Sequence, residues 1–329
     1  MKNIKFRAMG SHMEIKVDAD STRAASELKK APSWFEEWEQ VLSRFRPESE
    51  LNRLNRNSGT PVQVSQILWD VLKTAMLAAN QSGGLITPVI LDALEKAGYD
   101  KSYDQMGREQ YSISPLETAK TLSLDDVYLD EPTRTVYLPE GMRLDFGGVA
   151  KGWAGNQAML RLEGFGATLV DAGGDLAISG LLEGGVPWEI SIVDPFAPPE
   201  PEVHIAVFGA GRCGVATSGR DYRRWLKNGA WQHHIIDPRT GLPAETDVMS
   251  ASVIAPNIMD AEIAAKEALI LGSRAGMAHI EDLAYHAGLL VLQNGEVLVD
   301  SSLVDKIRIN TTRNRQTIDV QKLEYQAIE

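Results

Sequence analysis

Two segments gather residues capable of chemistry at close spacing. The first is Leu144-Asp145-Phe146-Gly147-Gly148-Val149-Ala150-Lys151-Gly152, a strand end turning into a helix through paired glycines. Glycines let a ligand approach the backbone, a helix start offers N–H groups without intrahelical partners, and Lys151 adds a cation, so the segment suits a phosphate or pyrophosphate. It lacks the Gly-Lys-Ser/Thr ending of a P-loop and the spacing of the dinucleotide fingerprint. Standing alone, it is accounted for as well by a tight strand-to-helix turn. The second segment, His233-His234-Ile235-Ile236-Asp237-Pro238-Arg239-Thr240-Gly241, holds two of the six histidines beside an acid and an arginine. A neutral imidazole can take the proton of an attacking hydroxyl, and a neighbouring carboxylate can fix its tautomer. His234 is the candidate base; a satisfied structural histidine is the competing reading, and the spacing fits no zinc pattern.

Two smaller constellations accompany them. Asp171-Ala172-Gly173-Gly174-Asp175 brackets paired glycines with carboxylates and reads first as a hairpin turn whose acids orient other groups. Glu262 and Lys266 fall four residues apart on a helix, the spacing of an ordinary surface ion pair. Cys213, the single cysteine, excludes an intrachain disulfide and a cysteine zinc site, and reads as a small buried hydrophobe.

The elements that must position these residues follow from periodicity. Apolar residues at helical spacing predict a helix over 22–42, a short one capped by Ser49, and another over 65–82 ahead of Gly83-Gly84. A short helix ends near Gly98-Tyr99, residues 101–120 are polar and irregular, and a hairpin spans 127–138. A helix opens near Ala150, and from residue 168 strand patterns dominate: 168–171, 176–179, 188–193, 203–208, 212–217 and 250–255. The proline-rich stretch 195–201 is a surface connection. A helix over 261–271 and a hairpin about Asn294-Gly295 complete the pattern. Mixed elements with adjacent hairpins predict an α+β fold, with helices packed on mixed or antiparallel sheets, rather than a doubly wound parallel sheet. Without a repeat or a clean linker, 1–329 reads as one domain.

Composition narrows the partners. Forty-five acidic against 33 basic residues give a net charge of −12, with no basic run, so nucleic acid is not expected. An anionic ligand must be held by local devices. No signal-peptide pattern and no apolar run of bilayer length is present, so the expected location is the cytoplasm.

Taken together, Met9-Gly10-Ser11, Ser43-Arg44-Phe45 with Ser49, Gly83-Gly84 and its loop, 145–152, 171–175, Ala216-Thr217-Ser218-Gly219 and 234–241 resemble the ApbE-like flavin transferase family, in family order, from residue 9 to about 272. The resemblance implies the ApbE-like fold, with its active site in a cleft between two interleaved subdomains. It also implies an enzyme that splits the FAD pyrophosphate, attaches FMN by a phosphoester to a Ser or Thr of a client protein, and releases AMP. By the same resemblance Met9, Phe45, Leu85, Ile86, Thr87, Asp145, Lys151 and Ile235 contact FAD, and His234 deprotonates the client hydroxyl. Magnesium sits on the pyrophosphate, held by the Gly148 carbonyl and by Glu262. Two departures stand out. Where the family places Asp and, four residues on, Thr or Asp as metal ligands, this chain has Glu262 and Lys266, which marks a subgroup. A protonated lysine cannot ligate a metal, and its ammonium can occupy the cation's place or act on phosphate as a fixed charge. Leu85-Ile86-Thr87-Pro88 also replaces a common Phe-Asp-Pro-Thr pattern. The alternatives to transfer are an FAD-binding protein without transfer activity and a hydrolase giving FMN and AMP.

Overall fold

Alternation along the late strands decides the architecture. Leu289 and Val291 point into one apolar cluster, while Leu290 and Leu292 point into another. The same division recurs at Leu169 and Val170, and at Val215 and Ala216. A strand with period-two side chains that are apolar on both sides must be covered on both faces. The computed structural model, which describes residues 1–106, 109–110, 122–197, 203–309 and 317–319, shows how the covering is done.

The central sheet has nine strands in the order Lys2–Ala8, Ser11–Asp18, Ala167–Ala172, Leu176–Ile178, Cys213–Gly219, Val248–Ala255, Ala287–Leu292, Val297–Val299 and Thr317–Asp319. All neighbours run antiparallel except the last pair. One face carries the helices Ala31–Leu42, Ala150–Leu162 and Ile258–Leu271, which bury Phe35, Trp38, Ala154, Ala158, Ala264 and Ala268. The other face is closed by a three-stranded sheet, Ile307–Ile309, His204–Ala210 and Trp188–Val193, through Trp188, Ile190 and Phe208. This is the expected α+β class. Among the described residues no helix is long and apolar enough to cross a membrane.

Local signals explain most boundaries. Ser49, Ser65 and Asn257 each accept a backbone N–H three residues on, capping Glu50–Arg56, Gln66–Gln81 and Ile258–Leu271. The expected 22–42 helix is two, Thr22–Leu28 and Ala31–Leu42. Pro32 lies in the first turn of the second, where its missing N–H does no harm, but it could not have continued the first. A helix over Ser273–Asp282 had no strong sequence signal, because only Gly276, Met277 and Ile280 of it are buried. The irregular reading of 101–120 and the proline stretch 195–201 fall largely outside the described residues.

Two glycine-dependent features aim the elements at one end of the sheet. Ala8 pairs with Ser11 around Met9 and Gly10, whose φ values of 50° and 67° make a tight two-residue turn of the primed kind. Gly214 lies beneath the start of the Ile258–Leu271 helix: a Cβ there would come within 2.1 Å of the Asn257 carbonyl carbon and the Ile258 nitrogen. Gly214→Ala must push that helix off the sheet. The expected loss is about 1–3 kcal/mol, read as a lower urea midpoint with an unchanged slope; an unchanged midpoint would mean that the helix start moves freely.

Candidate active site

Turns, helix starts and strand ends converge on a cleft of about 1190 Å³. Met9, Phe45, Leu85, Ile86, Thr87, Asp145, Gly148, Lys151, His234, Ile235 and Lys266 all line it, so the structure brings the sequence-selected residues together. Glu262 is the exception. At 1% exposed it lies beneath the floor, not at the surface as the spacing of the pair with Lys266 first suggested.

The floor is built on the start of the Ala150–Leu162 helix. The Gly152 N–H donates to Glu262 Oε2 at 3.2 Å. A Cβ on Gly152 would lie 2.4 Å from that oxygen, so only glycine lets the carboxylate in. Glu262 Oε1 faces two ammonium groups, Lys266 Nζ at 2.9 Å and Lys151 Nζ at 3.7 Å, yet accepts no well-aligned hydrogen bond among the described residues. It is held by charge rather than by directed bonds. Lys151 also pairs with Asp175, whose other oxygen accepts the Thr217 N–H at 3.3 Å. Burial works against the Lys151 ammonium, but Asp175 and Glu262 outweigh it and raise its pKa above the ordinary lysine value. Asp171 takes the bland role foreseen for it, its Oδ1 accepting the Gly174 N–H at 2.7 Å inside the turn.

One wall is aromatic and cationic. Arg44 Nε pairs with Asp145 Oδ2 at 2.9 Å, and both side chains are nearly inaccessible, 5% and 8% exposed. The Arg44 guanidinium lies 4.1 Å from the Phe45 ring centroid and 4.6 Å from that of Tyr99, which in turn rests 5.3 Å from Trp225. Trp225 anchors the stack by donating its indole N–H to the Ala97 carbonyl at 2.9 Å. Asp145 Oδ1 accepts the Gly147 N–H at 2.8 Å, fixing the glycine turn. Across the cleft, Arg223 donates to Ser11 Oγ at 3.0 Å and to the Gly10 carbonyl at 3.3 Å, tying the Met9-Gly10 turn to the site.

The adjacent histidines separate cleanly. His233 Nε2 bonds the Ala244 carbonyl at 3.1 Å and its Nδ1 accepts the Ile235 N–H at 3.3 Å, an arrangement that assigns the proton to Nε2 of a neutral ring. Burial pushes its pKa down to about 4. His233 is structural. His234 lines the cleft, and its Nδ1 is enclosed with no partner among the described residues. Burial, then the charges of Arg223, His233, Lys151 and Lys266, hold its pKa well below the ordinary imidazole value. The carboxylate expected to steer a histidine does not do so: both oxygens of Asp237 go to Arg239, at 2.9 and 2.8 Å. Burial likewise raises the Cys213 thiol to about 11, which leaves it unreactive near neutrality.

Asp175 takes the orienting role its motif suggested, toward Lys151. Arg44, Tyr99, Arg223 and Trp225 were not singled out from sequence, and Arg44 owes its place to a partner far away in the chain.

The residues present do not fit a resident magnesium ion. The Glu262 oxygen that would ligate it is in contact with Lys266, whose Cε lies 3.7 Å from the Cβ position of Gly148, the other implied ligand. Among the described residues no group of three or more His, Cys, Asp or Glu side chains gathers to hold a metal.

An α+β chain with a glycine turn leading into a helix, two partly exposed lysines beside it and a neutral histidine in the same cleft is of the class that handles a nucleotide phosphate. Comparison with known proteins narrows the class: this chain belongs to the ApbE family, whose pattern matches residues 9–290. It is similar to the FAD:protein FMN transferase of Treponema pallidum, 29% identical over 311 residues that cover 89% of this chain and 85% of that protein. It is also similar to the FAD:protein FMN transferase of Haemophilus influenzae, 28% identical over 93% of this chain and 91% of that one. Among solved structures it superposes on the ApbE protein of Thermotoga maritima with a TM-score of 0.79 at 22% identity, covering 92% of this chain and 97% of that one. The flavin transferase ApbE of Vibrio cholerae gives 0.72 at 22% identity, over 93% and 99%. These structures establish the ApbE fold.

Proposed function

We propose that this chain is an FAD:protein FMN transferase acting on a Ser or Thr hydroxyl of a client protein. The client oxygen attacks the FMN-side phosphorus, the bond to the AMP phosphate breaks, and AMP leaves. His234 takes the hydroxyl proton. The Gly147-Gly148 turn and the ammonium groups of Lys151 and Lys266 receive the pyrophosphate. Phe45, Met9, Leu85, Ile86, Thr87 and Ile235 enclose the flavin nucleotide, and Asp145, braced by Arg44, shapes the turn beneath it. The positive charge on the pyrophosphate comes from the chain itself, since Lys266 is in contact with Glu262 and lies beside Gly148.

The observation that carries the reading is the pairing, in one cleft, of a neutral histidine nitrogen without a partner among the described residues and two lysines gathered on one buried glutamate. A binding protein needs the second but not the first, since an enclosed polar nitrogen left unpaired costs roughly 1–3 kcal/mol. Relatives named FAD:protein FMN transferase over most of their length support the same reading.

Incubation with FAD and a peptide carrying a Ser/Thr-Gly-Ala-Thr acceptor tests it. Covalent flavin fluorescence on the peptide, with one AMP released per label, is the expected result. AMP and FMN without label would make the chain a hydrolase, and intact FAD retained by the protein would make it a binding module.

A further inference from the structure

The cleft floor carries an inference that rests on the transferase reading and deepens it. We infer that the Lys266 ammonium, braced by Glu262 and joined by Lys151, is the fixed cation for the FAD pyrophosphate, so that the chain binds and processes FAD without a divalent metal.

The placement of charge supports this. Glu262 is buried with one oxygen taken by the Gly152 N–H, which leaves Oε1 to face Lys266 at 2.9 Å and Lys151 at 3.7 Å. A magnesium ion on Oε1 would have to share that oxygen with two ammonium groups, a like-charge crowding that disfavours it. It would also lose the donor that the family spacing places at 266, because an ammonium has three N–H donors and no lone pair. Lys266 touches Glu262 Oε1 and lies 3.4 Å from the Glu262 carbonyl, and its side chain, 18% exposed, reaches the cleft beside Gly148. It is therefore anchored at one side and open to a ligand at the other. The anchoring carboxylate serves the lysine as it would have served a metal: it fixes a positive charge beneath the phosphates. Unlike a metal, that charge is part of the chain and cannot be removed by a chelator.

The test uses the full chain with FAD and reads binding separately from transfer. Manganese, followed by electron paramagnetic resonance, reports divalent binding; flavin fluorescence reports FAD affinity with EDTA or with magnesium. The wild-type chain is expected to keep its FAD affinity in EDTA within about twofold, and to take up no manganese when FAD is present. Lys266→Asp, which restores an oxygen donor, is expected to bind manganese with FAD and to lose about tenfold or more in FAD affinity in EDTA, recovering it with magnesium. Lys266→Met should weaken FAD in either condition without gaining manganese. Wild-type binding that collapses in EDTA, or manganese held by the wild-type cleft with FAD, overturns the inference, and these two outcomes need no variant to fold. Metal-independent FAD binding without peptide labelling would leave the cation assignment standing and remove the transferase reading. Labelling that requires magnesium would do the reverse.

Discussion

His234→Ala is expected to slow flavin transfer by about 10²–10⁴-fold while leaving FAD affinity nearly unchanged. The split between the two effects is what distinguishes a base from a structural residue. His234 faces the cleft with an Nδ1 that has no partner among the described residues, whereas His233 next to it bridges the Ala244 carbonyl and the Ile235 N–H. Burial and the surrounding cations hold the His234 pKa well below its ordinary 6.5. A base works in its neutral form, which is lost as pH falls through the pKa. A depressed pKa therefore moves the acid limb of the rate profile downward. Transfer by the wild type should stay flat from pH 8 to below roughly 6.5, where a free imidazole would already be half protonated. The alanine variant should show no such limb. Equal loss of FAD binding and transfer, or a wild-type limb centred near the free imidazole value, would return His234 to a structural role.

Much of the site was legible before the fold was known, but unevenly. The glycine turn at 147–148, the helix start after it and the serine caps follow from chain-local rules, and the structure has them where the residue types put them. Partnerships across the chain were not legible. Lys151 finds Asp175, and Gly152 finds Glu262 110 residues on, through the packing of two helices against one sheet. The spacing of Glu262 and Lys266 reads as a surface pair because helical periodicity reports which residues share a face, not what covers it. The Ile258–Leu271 helix is buried nearly all round, and its polar residues are carried inward with it. Asp237 was the reverse case: adjacent in sequence to the histidines, it turned to Arg239 two residues on, because a short backbone turn brings that guanidinium closer than any ring.

The other large effect is expected at Asp145. Arg44 and Asp145 form a nearly inaccessible pair at 2.9 Å, and Arg44 already has one terminal nitrogen without a hydrogen-bond partner among the described residues. Asp145→Ala leaves a buried guanidinium uncompensated, and removing one member of such a pair costs about 3–5 kcal/mol. Two rings soften the loss, since Phe45 and Tyr99 flank the guanidinium at 4.1 and 4.6 Å, but cation–π contact contributes only about 0.5–2 kcal/mol each and is present before and after the change. The carboxylate term should therefore dominate. The same substitution frees the Gly147 N–H, so FAD affinity should fall together with stability. Arg44→Leu/Asp145→Ala is the discriminating variant: with no stranded charge it should unfold at a higher urea concentration than Asp145→Ala alone, although it has lost more contacts. FAD affinity should stay low in both, because the glycine turn has lost its brace in each. If Asp145→Ala instead cost less than about 1 kcal/mol, the rings and solvent would already satisfy Arg44, and Asp145 would matter to the cleft only through the turn it holds.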